Sequence, residues 1–178
     1  LNLSDVNTKY TLKPDFSWSI INIDKIINKY LSEKFILLFP FCSPKLSHKK
    51  WPYFNELITI IKKNHPNLET VIAPGPDEIE DSKKINAISI TEEEKSINLM
   101  ELAGLINKSS YIIANDTGPA HMAAHLGKMG LVLFGHHTTP EKVSIETDKF
   151  KAITSDRLED LTAEKVYEIV KKEIKSIN

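Results

Sequence analysis

Cysteine is almost missing from the 178 residues: Cys42 stands alone. That excludes an intramolecular disulfide and leaves no signature of an oxidising compartment. Arginine is equally scarce, Arg157 being the single one, and we read the lysine-rich basic set as the composition of the source genome. An excess of either charge is also lacking, with 23 Lys+Arg against 24 Asp+Glu and a net charge of -1. A nucleic-acid binder normally gathers a basic excess on one face, so that class is set aside. No apolar run approaches the roughly 18 residues that span a bilayer, the longest clean stretch being 35–42. No secretory or transit pattern is legible either. The standard signatures GxSxG, GxGxxG and GxxxxGK[ST] are absent, which argues against a serine hydrolase, a standard NAD dehydrogenase and a P-loop NTPase. What remains is an intracellular domain. At about 100–200 residues per domain the length suits one unit, and a chain of this size buries roughly 70% of its unfolded surface without staples.

Short apolar runs alternate with amphipathic stretches from Lys34 onward, the pattern of βαβ units and a parallel sheet. Strands are expected at 35–41, 69–73, 87–90, 111–114 and 131–134, with a weaker sixth at 150–153. Helical spacing covers 53–63, 78–85, 99–107, 119–126 and 163–174. The last of these is capped by Thr162 and places Val166, Ile169, Val170 and Ile174 on its apolar side. Asn98 and Glu101 read as a capping box for the third. Residues 1–33 differ from the rest. A polar, aperiodic opening precedes Ile20, Ile23, Ile26, Ile27, Tyr30 and Leu31 at helical spacing, so we expect an interdomain linker followed by a packing helix. Residues 34–178 then form an α/β, Rossmann-like sheet domain.

The chemically distinctive residues nearly all follow the carboxyl ends of expected strands. Ser43–Pro52 follow the first strand, PGPDE (74–78) the second, NDTGPAH (115–121) the fourth and GHHTTP (135–140) the fifth. In an open parallel sheet those ends share one edge, where ligands bind at the switch of strand order. Within NDTGPAH, Gly118 allows close backbone approach and Pro119 suits a first helical turn. The free N–H groups of that turn, with the Thr117 hydroxyl, form an anion site of the kind that holds phosphates. The competing reading is that Asp116 and Thr117 simply cap the helix. Lys49 or Lys50 could set a compact positive charge against a diphosphate, although a solvated lysine cluster competes with that too. Trp51 reads as a packing residue. Glu78 is placed either to accept from ribose hydroxyls or to serve as an ordinary first-turn glutamate. His121 and His125 stand i, i+4, with His136 and His137 after the next strand. HMAAH lacks the glutamate of HExxH, and no metal site is expected.

Taken together, KKWP, GPDE, NLMELAGLINKSSYIIANDTGPAHMAAHLG and GLVLFG resemble the C-terminal half of the bacterial ADP-heptose:lipopolysaccharide heptosyltransferases, glycosyltransferase family 9. The most specific element is Asp116-Thr117-Gly118 with His121. The resemblance implies one Rossmann-like half of a GT-B architecture. It also implies a site for an ADP-sugar donor, a substrate rather than a cofactor: Lys49 and Ser43 on the phosphates, Glu78 on the ribose, Thr117 and Gly118 at the diphosphate, Asp116 and His121 lining the pocket. The lipopolysaccharide core acceptor and the carboxylate base would belong to an N-terminal domain absent from these residues, and neither Asp5 nor Asp15 sits where it could replace that base. With Leu1 in place of Met, we expect a cut near the interdomain linker. The implied location is cytoplasmic, at the inner face of the inner membrane. One departure stands out: Gly135-His136-His137-Thr138 replaces the family's common Gly-Pro-Thr. Three alternatives stay open: a non-catalytic nucleotide-binding remnant or module, a glycosyltransferase using another nucleotide sugar, and a zinc-dependent hydrolase.

Overall fold

The computed structural model describes residues 15–31 and 34–177, so Asp5 and the expected linker before residue 15 lie outside the described residues. The chain enters through a short 3-10 turn and α1 (Asp24–Tyr30). It then runs β1 (Phe35–Phe39), α2 (Phe54–Asn64), β2 (Glu69–Ile72), α3 (Ile79–Ser82) and β3 (Ile88–Ser89). A two-stranded antiparallel ribbon, β4 (Thr91–Glu92) and β5 (Lys95–Ser96), leads into α4 (Leu99–Lys108) and β6 (Tyr111–Asn115). The second half is α5 (Gly118–His125), β7 (Gly130–Phe134), α6 (Pro140–Val143), β8 (Phe150–Thr154) and α7 (Ala163–Lys175).

Six strands form one sheet in the order β3-β2-β1-β6-β7-β8, every pairing parallel. The chain builds outward from β1 in one direction, then restarts at β6 on the other side of β1, so the switch of strand order falls between β1 and β6. A strand buried on both faces needs continuous apolar residues, and Phe-Ile-Leu-Leu-Phe in β1 and Gly-Leu-Val-Leu-Phe in β7 supply them. Side chains of β1 alternate between layers: Ile36 and Leu38 join Phe54, Leu57, Ile58 and Ile61 of α2 and Val166, Val170 and Ile174 of α7. Phe35, Leu37 and Phe39 join the opposite layer, with Ala103, Leu105 and Ile106 of α4 and Ala120, Ala123 and Ala124 of α5.

Residues 20–31 pack onto that second layer. Ile23 and Leu31 are buried there, with Ile21, Ile26, Ile27 and Tyr30 against it. Gly104 makes this approach possible. A Cβ at residue 104 would stand 2.6 Å from the Ile21 carbonyl and 2.8 Å from the Ile23 side chain, closer than packed atoms come.

Local chemistry sets most boundaries. Asn98 Oδ1 accepts from the Met100 and Glu101 amides at 2.9 and 3.0 Å, and Glu101 Oε2 accepts from the Asn98 amide at 2.7 Å, completing the capping box. Thr162 caps α7 through the Lys165 amide. Gly127, at φ +69°, closes α5 in a Schellman motif, its amide donating to Ala124 O and that of Lys128 to Ala123 O.

Several expected bounds move. The first strand stops at Phe39, because Pro40 has no N–H for the ladder. The expected strand 87–90 pairs only over Ile88–Ser89. The expected helix 78–85 shrinks to a 3-10 turn plus the four residues of α3. Ile169 is exposed, and Ala163, Val166, Val170 and Ile174 carry the buried side of α7 instead.

Candidate functional site

A cavity of about 530 Å3 opens at the carboxyl edge of the sheet, at the switch between β1 and β6. Ser43, Lys49, Glu78, Asp116, Thr117, Gly118 and His121 all line it. These seven come from three loops far apart in sequence, brought together because parallel strands deliver their carboxyl ends to one side. The apolar part of the wall includes Phe39, Phe41, Ile97, Leu99 and Leu102.

Asn115, the last residue of β6, is fully buried and joins two of these loops. Its Nδ2 donates to the Pro40 carbonyl at 2.9 Å and its Oδ1 accepts from the Trp51 amide at 3.0 Å. Trp51 is buried, its indole Nε1 donates to Leu161 O at 2.7 Å, and its ring meets Tyr53 and Phe54 edge-on. It is therefore a packing anchor, and the segment from Pro40 to Trp51, which carries Lys49, is pinned at both ends to the strand edge.

Asp116 sits beside that anchor with its side chain only 3% exposed. Lys49 Nζ donates to Oδ2 at 2.6 Å, the His137 Nε2 lies 3.1 Å from the same oxygen, and the His121 Nε2 lies 3.3 Å from Oδ1. Burial by itself would raise the carboxyl's pKa, but hydrogen bonds from His121, Lys49 and His137 outweigh it and hold the group well below the usual carboxylate range. Asp116 is thus an ionised, three-donor hub.

The first turn of α5 lies immediately after it. Thr117 is the N-cap residue in an extended conformation, but its side chain makes no capping bond, its hydroxyl lying 3.4 Å from the Asn115 carbonyl. Since neither the Asp116 nor the Thr117 side chain accepts from an amide of the first turn, side-chain capping does not account for these two residues. Pro119 has no N–H and the Ala120 amide donates to the Thr117 carbonyl at 3.0 Å, so the Gly118 amide and the positive dipole end of α5 are what this turn offers an anion in the cavity. A phosphate-sized ligand there would meet Lys49 on one side and the Gly118 backbone on the other, Gly118 having open space where a Cβ would stand.

Glu78 closes the far side. Its Oε2 accepts from the Gly75 amide at 2.8 Å, and burial pushes its pKa up against the pull of that bond. Lys50, the other lysine singled out by position, leaves the cavity wall and stands 5.6 Å over the Phe41 ring, a cation–π contact. A smaller pocket of about 340 Å3 adjoins on that side, past Ser43 and Glu78.

The histidines separate. His121 faces the cavity, whereas the His125 ring lies 6.0 Å from Phe16 and tilted to it by 38°, so the i, i+4 pair serves two environments. Among the described residues no group of three His, Cys, Asp or Glu side chains is arranged to hold a metal ion. His137 is the residue whose role the sequence did not disclose. Its bond to Asp116 depends on a turn after β7 that no spacing rule anticipates, although the departure from Gly-Pro-Thr marked the place. Among the described residues, no helix is long and apolar enough to cross a membrane.

Comparison with known proteins agrees with this architecture. The sequence model of Glycosyltransferase family 9 (heptosyltransferase) matches residues 5–171. The lipopolysaccharide core heptosyltransferase OpsX of Haemophilus influenzae is 31% identical over 111 residues, covering 60% of this chain and 31% of that protein. Among solved structures, the E. coli ADP-heptose lps heptosyltransferase II superposes with a TM-score of 0.73 at 20% identity, over 86% of this chain and 51% of that one. The E. coli heptosyltransferase WaaC, solved with ADP, gives 0.71 at 16% identity over 90% of this chain and 50% of that one. The chain thus spans about half the length of these solved relatives and about a third of the curated one. A family model that matches almost from end to end, over a parallel sheet shared with two heptosyltransferases, identifies the chain as a member of glycosyltransferase family 9.

Proposed function

We propose that this chain is the donor-binding half of a GT-B heptosyltransferase, holding the nucleoside diphosphate of an ADP-heptose-type sugar in the cavity between β1 and β6. The observation that carries the reading is the pairing of Lys49 with the uncapped start of α5 across one cavity, with Glu78 opposite. The OpsX protein is a lipopolysaccharide core heptosyltransferase by name, and WaaC was solved with ADP and with ADP-2-deoxy-2-fluoro heptose, which supports an ADP-linked donor and a lipopolysaccharide acceptor.

In this reading the sugar's anomeric carbon gains positive charge as its bond to the diphosphate oxygen breaks, and the leaving diphosphate gains negative charge. Once the donor is bound, Lys49 and the start of α5 with its Gly118 amide are in place before the bond breaks, so they stabilise that charge without further reorganisation. Lys49 is held by Asp116 and turns from one anion toward another nearby. Glu78 accepts from the ribose hydroxyls, and Ser43 adds a hydroxyl at the phosphates. The acceptor hydroxyl gives its proton to a base in the family's other half, which this chain does not span. No step calls for a metal, and the protein acts in the cytoplasm at the inner membrane face.

Calorimetric titration with ADP tests the reading. Lys49→Ala is expected to weaken binding by about 1.5–3 kcal/mol, the range for a hydrogen bond to a charged group. Wild-type affinity in that variant removes Lys49 from its role. Competition among ADP, UDP and GDP tests the base, with ADP expected to win.

A further inference from the structure

We infer that His137 is a positioning residue for the donor site, acting through Asp116: its neutral ring donates Nε2–H to Asp116 Oδ2 and so keeps that carboxylate in place when Lys49 turns toward a phosphate. The inference rests on the nucleotide-binding reading above and adds to it a residue that does not line the cavity.

Asp116 Oδ2 has two donors, Lys49 Nζ at 2.6 Å and His137 Nε2 at 3.1 Å. A carboxylate oxygen only accepts, so the proton of a neutral His137 ring belongs on Nε2. The other nitrogen agrees with that assignment. Nδ1 is buried and has no hydrogen-bond partner among the described residues, as suits a bare lone pair and would not suit an N–H. Gly135 borders the same nitrogen, since a Cβ added there would lie 3.4 Å from it. The side chain is 8% exposed and the ring is held from two sides, nearly parallel to Phe134 at 6.1 Å and edge-on to His48 at 5.2 Å. Its direction is therefore set before any ligand arrives.

The consequence falls on Lys49. If Lys49 were the sole donor to Oδ2, turning it to a diphosphate would strip a buried oxygen of its partner, a costly change. With His137 in place, one donor remains on Oδ2 and His121 remains on Oδ1. Lys49 is then free to be shared.

Three substitutions, singly and in one combination, and one spectrum test this. His137→Phe keeps a ring beside Phe134 but removes the donor, and is expected to weaken ADP binding about five-fold. His137→Gln, whose amide nitrogen takes the place of Nε2, should restore most of the affinity. In an Asp116→Asn background the His137→Phe effect should shrink to about two-fold or less, as coupling through Asp116 requires. Ring-nitrogen NMR of the unliganded protein should show His137 as the neutral Nε2–H form at neutral pH. An imidazolium or an Nδ1–H ring, equal ADP affinity in wild type and His137→Phe, failure of Gln to rescue, or an undiminished effect in the Asp116→Asn background overturns the inference alone. Absence of nucleotide binding by the wild type overturns the proposed function and this inference with it, so the two failures are told apart.

Discussion

At Asp116 three donors meet one buried carboxylate, and the balance among them has a pH signature. The folded carboxyl is held below its ordinary value, so its contribution to stability is complete above the normal carboxylate range and is lost as pH falls through the lower folded value. Urea unfolding should therefore find wild type and Asp116→Asn separated at neutral pH, the gap closing below about pH 4. A gap that stays constant on acidification would mean that Asp116 titrates alike in the folded and unfolded chain. Part of this site was legible from residue types and order alone: Asp116, Thr117, Gly118 and His121 form one local motif, and a motif needs no tertiary knowledge to be seen. The Lys49 link spans 67 positions and the His137 link 21, and no local rule connects such pairs.

At the level of elements, two contacts decide how the pieces meet. Asn115 ends β6 and holds the loop after β1 through the Pro40 carbonyl and the Trp51 amide. Asn115→Ala would leave both groups without partners inside the protein, and chemical denaturation should show a loss of about 2–6 kcal/mol, two unsatisfied buried groups at about 1–3 kcal/mol each. Equal stability would mean that water replaces the side chain. Gly104 lets the entering segment reach α4. Gly104→Ala gains helix propensity of about 1 kcal/mol but forces a methyl against the Ile21 carbonyl and Ile23, which costs up to about 3. A net loss of about 2 kcal/mol in urea unfolding is expected, and a stabilised variant would show that residues 21–23 simply move aside. Elements with apolar periodicity or side-chain caps were readable, as α2, α4 and α7 show. The β4–β5 ribbon was not. Its turn puts Glu93 and Glu94 at positive φ, 50° and 63°, where the readable signal would have been Asn or Gly.

At the scale of the whole molecule, a ligand that binds only the folded chain stabilises it by mass action, by about 2.7 kcal/mol at a hundred-fold excess over Kd. For a domain of this size that corresponds to a Tm rise of about 5–10 °C. Differential scanning fluorimetry with ADP should show it, and a Tm that ignores ADP at millimolar concentration would count against the donor-site reading. The order of apolar runs and helical stretches already determined the parallel α/β class, since that alternation has few other solutions, and the distinctive residues at strand ends already pointed to one edge of the sheet. Which strands flank the switch and that His137 reaches Asp116 were decided only in three dimensions, whereas position along the chain left Lys49 and Lys50 open and the family resemblance singled out Lys49. Periodicity reports which side of an element is buried, because burial repeats with the backbone. It carries no information about which loops a completed sheet brings within 3 Å of one another.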